Sequence, residues 1–244
     1  MADVVTNTMV VQGREFAWTR RPISLVTSDC CLLGGALGRP ARASAVGCVI
    51  LLHPNPTGGG SMDSHLFKSA LEYLPSRHGI SVLAFNTRGT DSESACSDGV
   101  HDDGCAEQAD VAAAVSFVSD LGATNIWLVG WSFGTDLALM HGCLPGVRGA
   151  FLLAPVLHRT TPDHLRAWSR SGRELTCLVP EFDKYLRIRE VRSGLASVPQ
   201  TRYIEGAGMQ HSFQGHTDDV LATVAATVIG RESTGREPLS ARAS

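Results

Sequence analysis

Short apolar runs alternate with stretches of helical periodicity through most of this chain. The apolar runs fall at residues 46–52, 80–85, 126–129, 149–154, 175–179 and 201–204. A run that is apolar throughout, rather than at every second position, indicates a strand buried on both faces of a parallel sheet. The spacing between the runs predicts helices at residues 64–74, 107–121, 188–195 and 217–229, one from the 126–129 run to about 143, and one within 158–173. This order predicts an α/β fold with a mainly parallel sheet of about eight strands and helices on both faces.

The two ends of the chain follow other patterns. Residues 14–36 alternate loosely between apolar and polar positions, which predicts short antiparallel strands at a sheet edge before the pattern breaks at 38–42. Residues 231–244 are polar with one leucine, and we expect them to be disordered. Because no repeat or linker divides the chain, residues 1–230 are predicted to form a single domain.

A serine stands at the junction of a predicted strand and a predicted helix, in the sequence Gly130-Trp131-Ser132-Phe133-Gly134. A turn this sharp pushes the serine towards positive φ and leaves no room for side chains at the flanking glycines. G-x-S-x-G arises easily by chance in a chain with 25 glycines, but the strand before it and the helix after it are typical of a nucleophile elbow. The alternative is a serine that only caps the helix.

The carboxyl ends of the predicted strands also supply an acid and a histidine. Sites in open parallel sheets form outside these strand ends. Asp183 lies just beyond the 175–179 run, with Glu181 as the competing acid, and His211 follows the last strand, with His216 as the competing base. Serine, acid and histidine therefore arrive in the chain order of a serine-hydrolase triad.

With these residues the chain resembles the α/β-hydrolase superfamily from about residue 14 to residue 230. It is similar to small, capless bacterial serine hydrolases of the dienelactone-hydrolase-like and prolyl-oligopeptidase-like kind. The loops that carry the resemblance lie at residues 53–62, 85–89, 179–183 and 211–215. The resemblance implies the α/β-hydrolase fold without a large cap domain, and its Pro-Glu-x-Asp pattern favours Asp183 over Glu181.

The triad chemistry assigns a role to each residue. His211 takes the Ser132 proton as the oxygen attacks a carbonyl, and Asp183 fixes the imidazole tautomer.

The oxyanion needs two backbone donors. We assign the N–H of Phe133, just after the nucleophile, and that of Asn55 in the loop after the 46–52 strand. Pro54 and Pro56 have no N–H, so Thr57 is the alternative to Asn55 as second oxyanion donor.

Two loop residues are expected to have structural rather than chemical roles. His53 is expected to orient this loop. Arg88, with its planar fork of donors, is expected to tie loops together.

The predicted substrate is a small ester or thioester, cleaved through a covalent acyl-enzyme without a cofactor. The spacing between Ser132 and Asp183 leaves no room for a helical cap, so we expect a shallow acyl pocket. Its candidate lining residues are Met62, Trp131, Leu157, Trp168, Met209 and Phe213. The same residues also allow acyl transfer or cyclisation in a biosynthetic pathway, or a non-catalytic ligand-binding protein on the same fold.

Composition excludes several other classes of function. A net charge of −3 provides no basic field for nucleic acid, and no apolar run approaches the roughly 18 residues that cross a membrane. The N-terminus lacks a signal-peptide pattern and the seven cysteines contain no C-x-x-C pair, so we expect a reduced, cytoplasmic protein. The cluster from Cys96 to Cys105 fits no zinc spacing, so no metal is expected, and these two cysteines would pair only under oxidation. The exposed edge strand is compatible with a homodimer.

Overall fold

The computed structural model describes residues 5–11, 14–41 and 44–230 and forms one nine-stranded sheet. The strands are β1 (Val5–Val11), β2 (Arg14–Val26), β3 (Leu32–Pro40), β4 (Gly47–Leu52), β5 (Ile80–Phe85), β6 (Ile126–Trp131), β7 (Val147–Leu153), β8 (Glu174–Phe182) and β9 (Thr201–Gln210). Their order in the sheet is β1-β2-β3-β5-β4-β6-β7-β8-β9. The segment 231–244, for which we predict disorder, lies outside the described residues.

Strands β4 to β9 run parallel, and β1, β2 and β3 form an antiparallel extension at one edge. Every residue of β4, β5 and β6 is buried. The uninterrupted apolar runs therefore mark the central strands, as predicted.

In the described residues, six α-helices cover the two faces of the sheet. They are α1 (His65–His78), α2 (Glu107–Asp120), α3 (Phe133–His141), α4 (Pro162–Ser171), α5 (Ile188–Gly194) and α6 (Thr217–Ile229). Alternate β4 side chains divide the core: Ile50 and Leu52 pack with α2 to α5, whereas Val49 and Leu51 pack with α1 and α6. Between β7 and β8 the described chain holds only α4, so no helical cap covers the carboxyl ends of the strands.

The structure departs from the predicted elements at the N-terminus, in α1 and at the ends of β8 and β9, which run to Phe182 and Gln210 rather than to residues 179 and 204. The N-terminal strands are longer than predicted, β3 runs through Pro40, and β1 adds a strand that the sequence pattern does not reveal. Helix α1 does not end at residue 74 but continues through the buried Pro75 to His78. Pro75 cannot donate to the carbonyl of Leu71. That carbonyl instead lies against Gly38 of β3, where only a residue without a side chain allows the contact.

Candidate active site

Ser132 occupies a strained turn between the end of β6 and the start of α3. Its φ is 54° and its ψ is −118°, a backbone conformation that side-chain-bearing residues rarely adopt. A β-carbon on Gly130 would stand 2.2 Å from the carbonyl oxygen of Gly134, so the backbone closes on itself around the serine. The Ser132 N–H donates to the Leu153 carbonyl of β7, which fixes the turn to the sheet.

The three residues proposed as a triad lie within hydrogen-bond distance of one another. His211 Nε2 is 2.9 Å from Ser132 Oγ, and His211 Nδ1 is 2.8 Å from Asp183 Oδ2. Because an ionised carboxylate only accepts, Nδ1 carries the proton and Nε2 is free to accept the serine hydroxyl proton. The structure therefore brings Ser132, His211 and Asp183 together in the order that nucleophilic catalysis needs.

The competing acid and base are engaged elsewhere. Glu181 is exposed and accepts the N–H of Gly208 at 2.7 Å. His216 precedes α6, where its Nδ1 lies 3.7 Å from Asp219 Oδ2. Among the described contacts, neither side chain reaches Ser132.

Local contacts hold the acid and the histidine in place. Asp183 is 3% exposed, and its second carboxylate oxygen, Oδ1, accepts the N–H of Tyr185 at 2.8 Å. The indole N–H of Trp131 donates to the His211 carbonyl at 3.0 Å, which ties the histidine loop to the end of β6. The Tyr185 ring also packs beside the His211 imidazole, a contact that the sequence patterns do not indicate.

Two backbone amides are available where an oxyanion would form. Asn55 and Phe133 line one cavity with Ser132, and in the described part of the chain neither backbone N–H donates a hydrogen bond. The alternative donor is occupied, because the Thr57 N–H donates to Asn55 Oδ1 at 2.9 Å. The geometry thus favours Asn55 and Phe133 as the donor pair.

His53 fixes the loop that carries Asn55. It is fully buried, its Nδ1 contacts the Pro54 carbonyl at 2.7 Å, and its Nε2 accepts the Thr87 N–H at 3.0 Å. Burial lowers the pKa of His53 to about 4, so the ring is neutral at pH 7 and can donate at one nitrogen while accepting at the other. This is the orienting role expected from the sequence.

The cavity beside Ser132 is small and mostly polar. Its volume is about 150 Å³, and its lining residues are Asn55, Asp103, Ser132, Phe133, Asp136, Val156, His158, Arg159 and Tyr185. A second cavity, of about 240 Å³, opens at the opposite end of the parallel strands, where the central strands β4 and β6 begin, and so lies away from the triad.

The apolar lining predicted from the sequence is not found at this cavity. Met62, Trp168, Met209 and Phe213 are at most 2% exposed and pack in the core, and Trp131 is turned towards the His211 loop. Leu157 is half-buried against the α2 to α5 side of the core.

Two loops meet at the mouth of the cavity. Arg159 Nη2 lies 2.9 Å from Asp103 Oδ2, and both side chains are about half exposed. Asp103 has φ 51°, and its loop is held by the buried carboxylate of Glu107, which accepts the N–H groups of Asp102 and Gly104. On the other side, buried Asp136 of α3 accepts the N–H groups of residues 158 and 160.

Arg88 ties together segments next to the site, as predicted. Its guanidinium is 2.8 Å from Asp110 Oδ1 of α2 and 2.8 Å from Asp29 Oδ2. The Arg88 hydrogen bonds hold the pKa of Asp29 well below its usual range. Burial raises the pKa of Asp110, although Arg88 opposes that rise.

Residues that could hold a metal or form a disulfide are dispersed. In the ranges that the structure describes, no three His, Cys, Asp or Glu side chains converge as metal ligands. Cys96 and Cys105, like the other cysteines, carry free thiols. None of the helices described here combines the length and the apolar character that crossing a bilayer requires.

Solved structures with this fold include several hydrolases. A lidless α/β serine hydrolase from Xanthomonas campestris superposes with a TM-score of 0.70 at 22% identity, over 89% of this chain and 97% of that one. An esterase from Pyrococcus furiosus superposes with a TM-score of 0.71 at 16% identity, over 87% of this chain and 92% of the esterase. A cold-adapted esterase from an Arctic intertidal metagenomic library superposes with a TM-score of 0.67 at 18% identity, over 94% of this chain and 99% of that one. The sequence matches no protein-family model and no curated protein.

Proposed function

We propose that this chain, whose fold is that of the α/β hydrolases, is a serine hydrolase that cleaves a small ester or thioester. The observation that carries the proposal is the continuous hydrogen-bonded path from Ser132 Oγ through His211 to Asp183, at 2.9 and 2.8 Å. A serine held only as a helix cap has no need of a histidine and a buried carboxylate behind it. The Ser132 side chain also makes no capping hydrogen bond to α3.

The first half of the reaction forms an acyl-enzyme. Ser132 Oγ attacks the substrate carbonyl while His211 Nε2 takes the hydroxyl proton, and Asp183 stabilises the resulting imidazolium. The carbonyl oxygen becomes an oxyanion that accepts from the Phe133 and Asn55 amides. When the tetrahedral intermediate collapses, the bond to the leaving group breaks and His211 returns the proton to that group.

The second half regenerates the serine. Water replaces the leaving group, His211 removes its proton, and the hydroxide oxygen attacks the acyl carbon. Collapse of this second intermediate releases the acid and returns the proton to Ser132 Oγ. No redox step or external cofactor enters this sequence.

The shape of the site supports a short acyl group. The cavity next to Ser132 is about 150 Å³, well below the roughly 300 Å³ at which drug-sized ligand pockets begin. No helical cap in the described chain extends it. We therefore expect short-chain esters to react and long-chain lipid esters to react poorly.

The deciding experiment is intact-mass analysis after incubation with a fluorophosphonate, alongside hydrolysis of p-nitrophenyl esters of increasing acyl length. Wild type should gain one adduct, Ser132→Ala none, and His211→Ala should react at least about a hundredfold more slowly. Ser116→Ala is the matched control, since it makes the same change at an exposed serine of α2 and leaves the turn around Ser132 intact. A folded wild type that gains no adduct would refute the proposal and favour a ligand-binding protein on this fold.

A further inference from the structure

Tyr185 touches both residues behind the proposed nucleophile. Its backbone N–H donates to Asp183 Oδ1 at 2.8 Å, and its ring centroid lies 4.6 Å from that of His211, with the two rings inclined at 64°. Because the donor and the acceptor are two residues apart, the first contact closes a turn of the kind that aspartate favours. A single residue therefore contacts the acid through its backbone and the base through its side chain.

We propose that Tyr185 is a positioning residue for the pair formed by His211 and Asp183. Its ring holds the imidazole in the orientation that reaches Ser132 and shields the hydrogen bond between His211 and Asp183 from water. This inference rests on the proposed function, because a shielded acid and base matter only if His211 transfers protons.

The exposure of the three side chains supports this role. The Asp183 side chain is 1% exposed and that of His211 is 15% exposed, although both stand at the open end of the sheet. Tyr185 itself is 46% exposed, so it lies between the pair and solvent. Two further side chains lie near the Tyr185 ring. The Lys184 ammonium is 5.0 Å from the Tyr185 ring centroid, and the His158 ring centroid is 6.0 Å from it.

An imidazole without such a neighbour is free to reorient. Rotation about the bond that joins the ring to Cβ has broad energy wells, so packing against the ring must select one orientation. Edge-to-face contact between aromatic rings at this distance is favourable and directional. Excluding water also strengthens the hydrogen bond between Nδ1 and Oδ2, because the local dielectric falls.

The backbone and the ring of Tyr185 can be tested separately. Any residue at this position keeps the N–H that binds Asp183 Oδ1, so Tyr185→Leu removes the ring alone. Tyr185→Phe keeps the ring and removes the hydroxyl. The matched control is Phe182→Leu: this ring is 54% exposed in the same segment, and no ring contact joins it to the triad among the described residues.

The first readout is the imidazole Nδ1–H proton resonance in protein labelled with ¹⁵N-histidine, assigned by its loss in His211→Gln. A shielded Nδ1–H exchanges slowly with water and gives a sharp downfield signal. Wild type, Tyr185→Phe and Phe182→Leu should show that signal, and Tyr185→Leu should show it broadened or lost. The second readout is the rate of fluorophosphonate labelling, which should fall about tenfold in Tyr185→Leu but not in the other two variants. This loss is smaller than the roughly hundredfold or larger loss expected when the general base itself is removed, because His211 is still present.

Each outcome bears on one proposal. A sharp signal in Tyr185→Leu equal to that of wild type, or no signal in wild type, would overturn the positioning role. Where wild type is labelled, an equal labelling rate in Tyr185→Leu would overturn it as well. If neither wild type nor any variant is labelled but the pattern of signals is as expected, the serine-hydrolase proposal fails while the shielding by Tyr185 stands.

Discussion

Gly134 lies so close to Leu52 that a β-carbon on the glycine would stand 1.9 Å from the Leu52 carbonyl oxygen. This contact presses the start of α3 against the end of β4, and so places the amide of Phe133 beside the loop that carries Asn55. The second glycine of G-x-S-x-G is thus required by close backbone packing between α3 and β4.

Gly134→Ala is expected to damage both stability and reactivity. Leu52 belongs to a central strand and cannot move away, so the free energy of unfolding should fall by about 1–3 kcal/mol or more. Fluorophosphonate labelling should be lost even where the variant folds. The control is Gly58→Ala, because a β-carbon there meets nothing within 4 Å. Denaturant unfolding and labelling of both variants test the prediction, which wild-type behaviour of Gly134→Ala would contradict.

The buried neutral ring of His53 predicts a loss of stability in acid. The pKa of His53 in the folded protein is about 4, below the usual 6.5, so between these pH values the unfolded chain binds a proton that the native chain does not bind. The free energy of unfolding is therefore highest above pH 6.5. It falls by about 3 kcal/mol as the pH is lowered to 4. Urea unfolding of wild type and His53→Gln across this range measures it.

His53→Gln should be less stable than wild type at pH 7 but should have a flatter dependence on pH. Burial also lowers the pKa of His65 and of His141, and both proteins share those titrations. The difference between the two curves therefore isolates His53. Parallel curves would show that His53 is not the group that titrates.

The ion pair between Arg88 and Asp110 predicts an asymmetric mutational response. Arg88→Met leaves the fully buried Asp110 carboxylate without its cation, which should cost about 3–5 kcal/mol of unfolding free energy. Adding Asp110→Asn removes the uncompensated charge and keeps an acceptor for the Arg88 backbone N–H, so the double variant should recover part of the loss. Chemical denaturation of the single and double variants checks this, and a double variant less stable than Arg88→Met would refute it.

The pair formed by Asp103 and Arg159 predicts a change in substrate charge preference. Arg159→Gln removes the guanidinium from Asp103, which among the described residues keeps only the His101 ring at 3.6 Å. An ester with a negative charge should therefore lose about fivefold in kcat/KM relative to a neutral ester, or roughly 1 kcal/mol. Asp103→Asn should shift the ratio the other way. Stability should change by less than about 1 kcal/mol, because both side chains are exposed.

Arg166→Gln is the control for that comparison. Arg166 pairs with Asp163 on the exposed face of α4, away from the cavity. If its charge preference shifts as much as that of Arg159→Gln, the effect belongs to the overall charge of the protein rather than to the cavity.

The sequence predicts the central sheet well because buried parallel strands have a composition of their own. The bounds of β5 and α6 agree with the predicted ones residue for residue. Ser132 could be found because it directly follows a fully buried strand. Asp183 and His211 lie beyond the apolar runs that the sequence shows, which end at 179 and 204, because β8 and β9 continue to Phe182 and Gln210. Their chain order, rather than a predicted strand end, identifies them.

The wall of the cavity could not be predicted in the same way. Trp131 adjoins Ser132 in the sequence, but its indole packs inwards because β6 continues to this residue. Asp103 and Arg159 come from two separate loops, and the positive φ of Asp103 has no signature in the pattern of apolar positions. Which loop residues meet over the serine depends on loop conformation, for which the strand and helix periods carry no information.

His211 follows the outermost strand of the sheet. Within the part of the chain that the structure describes, β9 pairs with β8 alone, and two of its ten residues are buried, whereas β4 is buried throughout. Edge segments open at a lower free energy than central ones. Opening of β9 would carry His211 away from Ser132 while the central strands keep their packing. Labelling of Ser132 should therefore be lost at a lower denaturant concentration than the one that unfolds the central sheet.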